Sequence, residues 1–410
     1  MKKKIYIIGL YILMFTSINS QVNNSKNLIV IDIEKGIKEL TNLKVSDFGK
    51  SVRFIPLETT NESLIGNNPT VSVTNDYIVV GFRDNCLLFD KKDGKFISKI
   101  GHLGQDNQDF LDSHFWLDEK GDFLYFIGNQ SGLIKYEIKG KFVGNVNISF
   151  SQGLPNTFLI TDSNIIGFYY DINFNPNNKY SLVFFDKNGV SQNYIPSIFG
   201  DKKIEYNNDI FLIPHSKVYG NWTKQDAHIL RTLDSKRIIA SNNLNSFLWK
   251  HKDNIRFKEE FTDTIYNVAD GKTIPSIVFH TGKYHWPRFE MNRNFDTNAR
   301  VFVSYVSEND NFIFFQCIRG LLTKEPILYN GLYNKKTGET KFGNTIQDDL
   351  TGFMPFTPET ISSSGEFVSI IDIFDLNEWL EKHPEAKNND KLTFLKNYEY
   401  DMNPIIMLVY

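Results

Sequence analysis

Cysteine is nearly missing from this chain: two residues in 410, Cys86 and Cys317. At most one disulfide could form, and the two stand in different strand-like runs, Cys86-Leu-Leu-Phe89 and Phe312-Ile-Phe-Phe-Gln-Cys317. Two buried thiols, packed as small apolar residues, are expected rather than a bridge. An excess of charge of one sign is also missing. Lys and Arg total 45 against 48 Asp and Glu, for a net charge of −3. Nothing in that balance would neutralise a phosphate backbone, so no nucleic acid is expected as partner. No block of like charges marks an interaction tail. Long apolar runs are missing beyond the first residues, so no membrane span is expected in the mature chain.

Reaction motifs are equally scarce. With 8 histidines, the tightest useful pair is His280 and His285, five residues apart. That is an odd offset, which in a strand sends the two side chains to opposite faces. No Gly-x-Ser-x-Gly elbow, no phosphate-cradling Gly-rich loop ending in Lys-Ser or Lys-Thr, no Asp-rich calcium loop and no sialidase-type Asp box occurs. No metal, cofactor or catalytic residue is therefore expected.

What the chain does contain is a repeated phrase: apolar and aromatic residues, then Asp, Glu or Asn, a short polar step and a glycine. The copies are Leu87-Leu-Phe-Asp-Lys-Lys-Asp-Gly94, Ile134-Lys-Tyr-Glu-Ile-Lys-Gly140, Leu182-Val-Phe-Phe-Asp-Lys-Asn-Gly189, Thr264-Ile-Tyr-Asn-Val-Ala-Asp-Gly271 and Leu332-Tyr-Asn-Lys-Lys-Thr-Gly338. A strand, glycine turn and strand recurring near the about 40–50 residues of known blade repeats is the signature of a β-propeller. The spacing predicts an all-β, six-bladed β-propeller of four-stranded antiparallel blades, with a short helical insertion near the C-terminus.

Strand-like runs then assign themselves to blades. Val71–Val80, Cys86–Phe89 and Phe96–Ile100 form one; Phe123–Ile127, Leu133–Ile138 and Phe142–Ile148 form the next. Phe158–Ile160, Ile165–Tyr170, Tyr180–Phe185 and Ser191–Ile195 make a third. A fourth is expected within Phe211–Tyr219, Ile238–Ala240, Phe247–Lys250, Thr264–Tyr266 and Ser276–His280, and a fifth from Val301 to Phe342. The sixth, from Thr360–Ser362, Phe367–Ile373 and Ile405–Val409, needs a strand from the N-terminus, either Leu28–Ile33 or Val52–Pro56. Such a join seals the ring and removes an open sheet edge. Asp375, with Glu378 three residues on and Pro384 beyond, signals a capped helix inside an insertion over about 375–397.

The opening residues Met1-Lys-Lys-Lys4, an apolar stretch of about 14 residues and the small residues before Gln21 read as a secretory signal over 1–20. No cysteine follows it, so the product is expected to be periplasmic or extracellular and not a lipoprotein. The segment 21–50 is expected to contribute to ring closure, and 51–410 to form the propeller, as a monomer.

Further runs carry a resemblance. Phe54-Ile-Pro-Leu-Glu-Thr-Thr60, Ser63-Leu-Ile-Gly66, Leu88-Phe-Asp-Lys-Lys-Asp-Gly-Lys-Phe96 and Ile100-Gly-His-Leu-Gly-Gln105, with Asp263-Thr-Ile-Tyr266 and Asn403-Pro-Ile-Ile-Met-Leu-Val409 in order behind them, resemble the bacterial six-bladed β-propeller family. That resemblance implies the fold and export, and no catalytic set. Members usually continue the Gly-Gln with a glycine-rich turn, and this chain has Gln105-Asp-Asn-Gln-Asp-Phe110 instead.

If the repeated glycine turns occupy one rim of the ring, the other rim collects the remaining loops. It would hold Arg83, Asp84, His102, Gln105, Tyr170, Asp171, Arg256, His285, Trp286, Arg288 and Arg319. Aromatic rings beside polar and cationic groups suit a sugar or an acidic sugar. The expectation is an exported propeller that binds a glycan, a peptide or an extracytoplasmic protein at one channel mouth without catalysis. The alternative is a hydrolase or lyase acting on a polysaccharide or lactone in the central channel.

Overall fold

The structure, a computed structural model, describes residues 28–66, 69–129, 132–150, 152–169, 179–200, 210–214, 227–232, 238–242, 248–259, 261–287, 299–320 and 326–410. Six antiparallel sheets fan around one axis. Blade 1 runs Thr70–Val73, Tyr77–Phe82, Asn85–Asp90, Phe96–Lys99; blade 2, Phe110–Leu117, Phe123–Gly128, Gly132–Glu137, Phe142–Asn147. Blade 3 is Thr157–Ile160, Ile165–Phe168, Tyr180–Phe185, Ser191–Pro196; blade 4, Leu248–His251, Asn254–Lys258, Thr264–Ala269, Lys272–His280. Blade 5 comprises Val301–Glu308, Phe312–Arg319, Ile327–Asn334 and Thr340–Gly343. The first strand of each blade lies innermost: those of blades 2 and 3, 3 and 4, 5 and 6, and 6 and 1 touch.

Blade 6 draws on both parts of the chain. Thr360–Ile361, Phe367–Ile371 and Ile405–Val409 supply three strands, and Val52–Pro56 pairs antiparallel with Ile405–Val409 as the fourth. The closing strand is thus Val52–Pro56. The earlier strand Ile29–Asp32 instead pairs parallel with Lys272–His280, adding a fifth strand to blade 4.

The strand runs are apolar on both faces because each blade is covered on both sides. In blade 1, Ile78, Val80, Leu87 and Phe89 pack with Ile55, Val368 and Leu408 of blade 6. Their sequence neighbours Val79, Cys86 and Leu88 pack with Phe115, Leu124 and Phe126 of blade 2. Period-two alternation therefore sends successive side chains into two different cores. Cys86 and Cys317 are both free and buried, in blades 1 and 5, and burial pushes both thiols up from their ordinary value.

Several sequence assignments shift. Val71–Val80 is two strands, because Thr74 accepts from the Tyr77 amide at 2.9 Å and turns the chain. Phe110–Leu117 is an innermost strand; its register breaks between Phe110 and Phe115, and its polar Asp112 and His114 hide it from an apolar pattern. The runs near Phe211 and Ile238 do not belong to blade 4. Ile210–Pro214, Ala227–Thr232 and Ile238–Asn242 form a separate three-stranded sheet, while blades 3 and 4 touch directly. The helix spans Ile373–Lys382, between the second and third strands of blade 6. Its cap is Asp372, which accepts from Phe374 N at 2.8 Å, rather than Asp375. A 3-10 stretch, Asp390–Asn397, follows. Residues 1–20 lie outside the described residues.

Candidate functional site

Each blade's first strand ends in a turn beside the axis, and a polar side chain closes most of these turns. Thr74 and Thr161 accept from amides three residues on, at 2.9 and 3.0 Å. Asp118 accepts from Asp122 and Phe123 at 2.8 and 3.0 Å; Asn309 from Asn311 and Phe312 at 3.0 and 2.8 Å; Ser362 from Glu366 at 3.1 Å. Short Ser, Thr, Asp and Asn side chains do this because they reach their own backbone a few residues ahead, here two to five. In blade 4 the turn instead places Lys252 at φ +54.

The lysine of the repeated Asp-Lys or Asn-Lys phrase braces this ring. Lys91 meets Glu366 of blade 6 at 3.0 Å, Lys187 donates to the Thr161 carbonyl, and Lys335 donates to the Asn309 carbonyl at 2.6 Å. By connectivity the repeated glycine turns share this rim.

The turns enclose the mouth of a cavity of about 850 Å³ that runs between the innermost strands and is lined by all six blades. One wall, where blades 4 and 5 meet, holds a buried carboxylate. The Glu308 side chain is fully enclosed. One of its oxygens receives Arg256 and, at 2.6 Å, Lys335; the other accepts from Trp249 Nε1 at 3.0 Å. His251 Nε2 lies 3.7 Å from Glu308 and 3.1 Å from Lys335 Nζ. Burial lowers the pKa of both His251 and Lys335, against the opposing pull of Glu308. A neutral His251 is what can accept from the Lys335 ammonium. Across the mouth, Lys250 of blade 4 pairs with Glu119 of blade 2 at 2.5 Å, and the second Glu119 oxygen accepts from Asp162 N at 3.3 Å. Near the deep wall stand the hydroxyl residues Thr70, Ser72 and Thr360. Among the described residues, no group of three or more His, Cys, Asp or Glu is placed to hold a metal ion.

Among the described residues, those singled out in the sequence fall elsewhere, with one exception. Arg256 sits in mid-strand and reaches the cavity wall through Glu308. Arg83, at φ +47, and Asp84 occupy an exposed turn of blade 1. His102 and Gln105 lie in the link to blade 2, where His102 Nε2 meets Asp109 at 2.7 Å. His285 Nδ1 meets Asp263 at 2.8 Å. Arg319 lies over the Tyr284 ring, 5.1 Å from its centre. Trp286 offers no open ring face: it is 1% exposed and stacked on Phe261 at 5.1 Å. Tyr170, Asp171 and Arg288 lie outside the described residues. His285, Trp286 and Arg319 thus gather at blades 4 and 5, while Arg83, Asp84, His102 and Gln105 belong to blade 1 and its link, on the rim opposite the cavity mouth.

The signal for the mouth was present but unread: a Ser, Thr, Asp or Asn closing five of the six first strands, three to five residues before the second strand begins. Glu308 had no local signal, since its partners come from positions 249, 251, 256 and 335.

Among solved structures, a protein of Bacteroides fragilis NCTC 9343 described as exported is 17% identical, with 93% of this chain and 99% of that chain aligned and a TM-score of 0.62. BamB of Moraxella catarrhalis is 10% identical over 60% of this chain and 68% of its own, at a TM-score of 0.28, too slight to bear on the argument. No curated protein matches the chain. The six-bladed ring agrees with the first of these structures, and residues 28–410 match the family described as Domain of unknown function (DUF4934), to which this chain belongs.

Proposed function

We propose that this is an exported propeller that holds a hydrophilic ligand, a saccharide before a peptide or a protein, in the mouth framed by the first-strand turns, without transforming it. The observation that carries this is the cavity itself. At about 850 Å³ it falls in the size range of ligand sites, roughly 300–1,000 Å³. Its wall offers hydroxyls and an amide from Thr70, Ser72, Ser363 and Asn311, which suit a hydroxyl-rich ligand. The indole of Trp249, anchored by its N–H to Glu308, adds an apolar edge. Export is supported by the basic and apolar leader over 1–20 and by the similarity to a protein described as exported.

Glu308 is poorly placed for acid or base work on a substrate in this cavity. Both of its oxygens are engaged by Arg256, Lys335 and Trp249, and a general acid or base needs a free position within hydrogen-bond reach of the reacting proton. The test is calorimetric titration of the whole chain against a panel of soluble oligosaccharides, with chromatography of the mixture afterwards. Ser363 is exposed at the mouth, so Ser363→Trp fills the opening while leaving its backbone bond to Val73. Binding without new products, lost in Ser363→Trp, supports the reading. Cleavage of a bound glycan, or binding that Ser363→Trp leaves intact, overturns it.

A further inference from the structure

We infer that the ligand of this mouth carries a carboxylate, as in a uronate saccharide, and that Lys250 receives it in place of Glu119. The inference rests on the reading that the mouth binds a saccharide. It begins from one ion pair. Around the mouth, Arg256–Glu308 and Lys252–Asp310 join the neighbouring blades 4 and 5, Lys120–Asp162 joins blades 2 and 3, Lys91–Glu366 joins blades 1 and 6, and Lys335–Glu308 lies within blade 5. Among these, Lys250–Glu119 skips a blade: it runs from blade 4 to blade 2, past blade 3, between two residues that line the cavity. A ligand entering the mouth has to pass or replace it.

The pair is built for exchange. Its side chains are 27% and 35% exposed, in contact with water, and pairs of that kind hold weakly. Glu119 keeps a second anchor at the Asp162 amide when Lys250 leaves. Lys250 has no other ion pair among the described residues. By contrast the Glu308 cluster is enclosed and its oxygens are engaged, so it is a fixed wall.

The sign of the ligand follows from what stands behind each partner. Lys250 belongs to a wall whose enclosed charges are Arg256 and Lys335 against the single carboxylate of Glu308, while Lys252, Asp253 and Asp310 stand exposed to screening by water and salt. Glu119 belongs to a wall carrying Asp118 and Asp162, with Lys120 and Lys187 close by. A carboxylate that displaces Glu119 gains Lys250 and the cationic surplus behind it. An amine that displaced Lys250 would sit facing that same surplus. Like charge is disfavoured and opposite charge favoured over these distances, less so as salt rises.

The experiment is calorimetric titration of the whole chain with digalacturonate, with its methyl ester, which keeps the skeleton and removes the charge, and with fully deacetylated chitobiose, which reverses it. Binding of the acid about tenfold tighter than of the ester is expected, an advantage of the size of one charge-assisted hydrogen bond. That advantage should vanish in Lys250→Met and shrink in high salt. Glu119→Gln, which removes the competing carboxylate, should tighten the acid further; thermal midpoints within a few degrees of the parent show that both variants fold. Equal binding of acid and ester, or tighter binding of the amine, overturns the inference and leaves the saccharide reading standing. No binding of any of the three, nor of any neutral sugar in the wider panel, overturns both.

Discussion

Gly94 and Gly338 both stand at φ +74 in the same repeated turn, and their surroundings differ. A Cβ on Gly338 would meet nothing nearer than the Tyr333 hydroxyl at 3.9 Å, whereas on Gly94 it would lie 2.0 Å from the carbonyl oxygen of Pro56 in the closing strand. Gly338→Ala should therefore cost only the left-handed backbone, about 1–2 kcal/mol. Gly94→Ala must also push Pro56 aside and should cost about 3 kcal/mol or more, in the range kept for strained backbone and broken packing. Urea midpoints of the two variants check this; equal losses would show that the blade contact is not what demands the glycine. Residues of this kind were legible because the turn writes its own pattern. The Glu308 cluster was not, because burying one carboxylate takes four side chains from segments that only the ring brings together.

Among elements, five copies of the glycine turn signalled six blades, and the missing sixth has a physical reason. In blade 6 the third and fourth strands come from opposite parts of the chain, so no turn joins them. Strands with polar insertions, as in Phe110–Leu117, went unread, and two strands of the three-stranded sheet were assigned to blade 4, because their apolar runs look like blade strands until blades 3 and 4 are seen to touch. The entry to the strand Ile405–Val409 is held by Asn403, which is fully buried. Its side chain accepts from Ile65 N and donates to the carbonyls of Glu58 and Ser63, each at 2.8 Å. Asn403→Ala leaves buried backbone groups without partners, at about 1–3 kcal/mol for each group stranded. A drop of about 3 kcal/mol in unfolding free energy is expected from denaturant titration. A loss below about 1 kcal/mol would mean that water replaces the side chain there.

At the scale of the whole molecule, stability depends on the segment 28–56 in two places at once. Val52–Pro56 covers the edge of blade 6, and Ile29–Asp32 covers the edge of blade 4. The segment also buries Ile31, Ile33, Leu43, Val45 and Ile55, each at most 2% exposed. At about 1.5–3 kcal/mol for each buried aliphatic side chain, the segment contributes on the order of 10 kcal/mol, comparable with the whole net stability of a typical domain. A chain that begins at residue 57 should then lose its ring as a cooperative unit. Its bared strands Ile405–Val409 and Lys272–His280 present unpaired amides and carbonyls beside apolar side chains, the condition under which sheet edges pair between molecules. Light scattering coupled to size-exclusion chromatography should show larger oligomers or aggregate in place of the full chain's single species. Adding the segment 28–56 back as a separate peptide should restore a single species, because the two edges it covers are the ones left open. A shortened chain that keeps the full chain's assembly state, with an unchanged melting temperature, would show that blade-to-blade packing alone closes the ring.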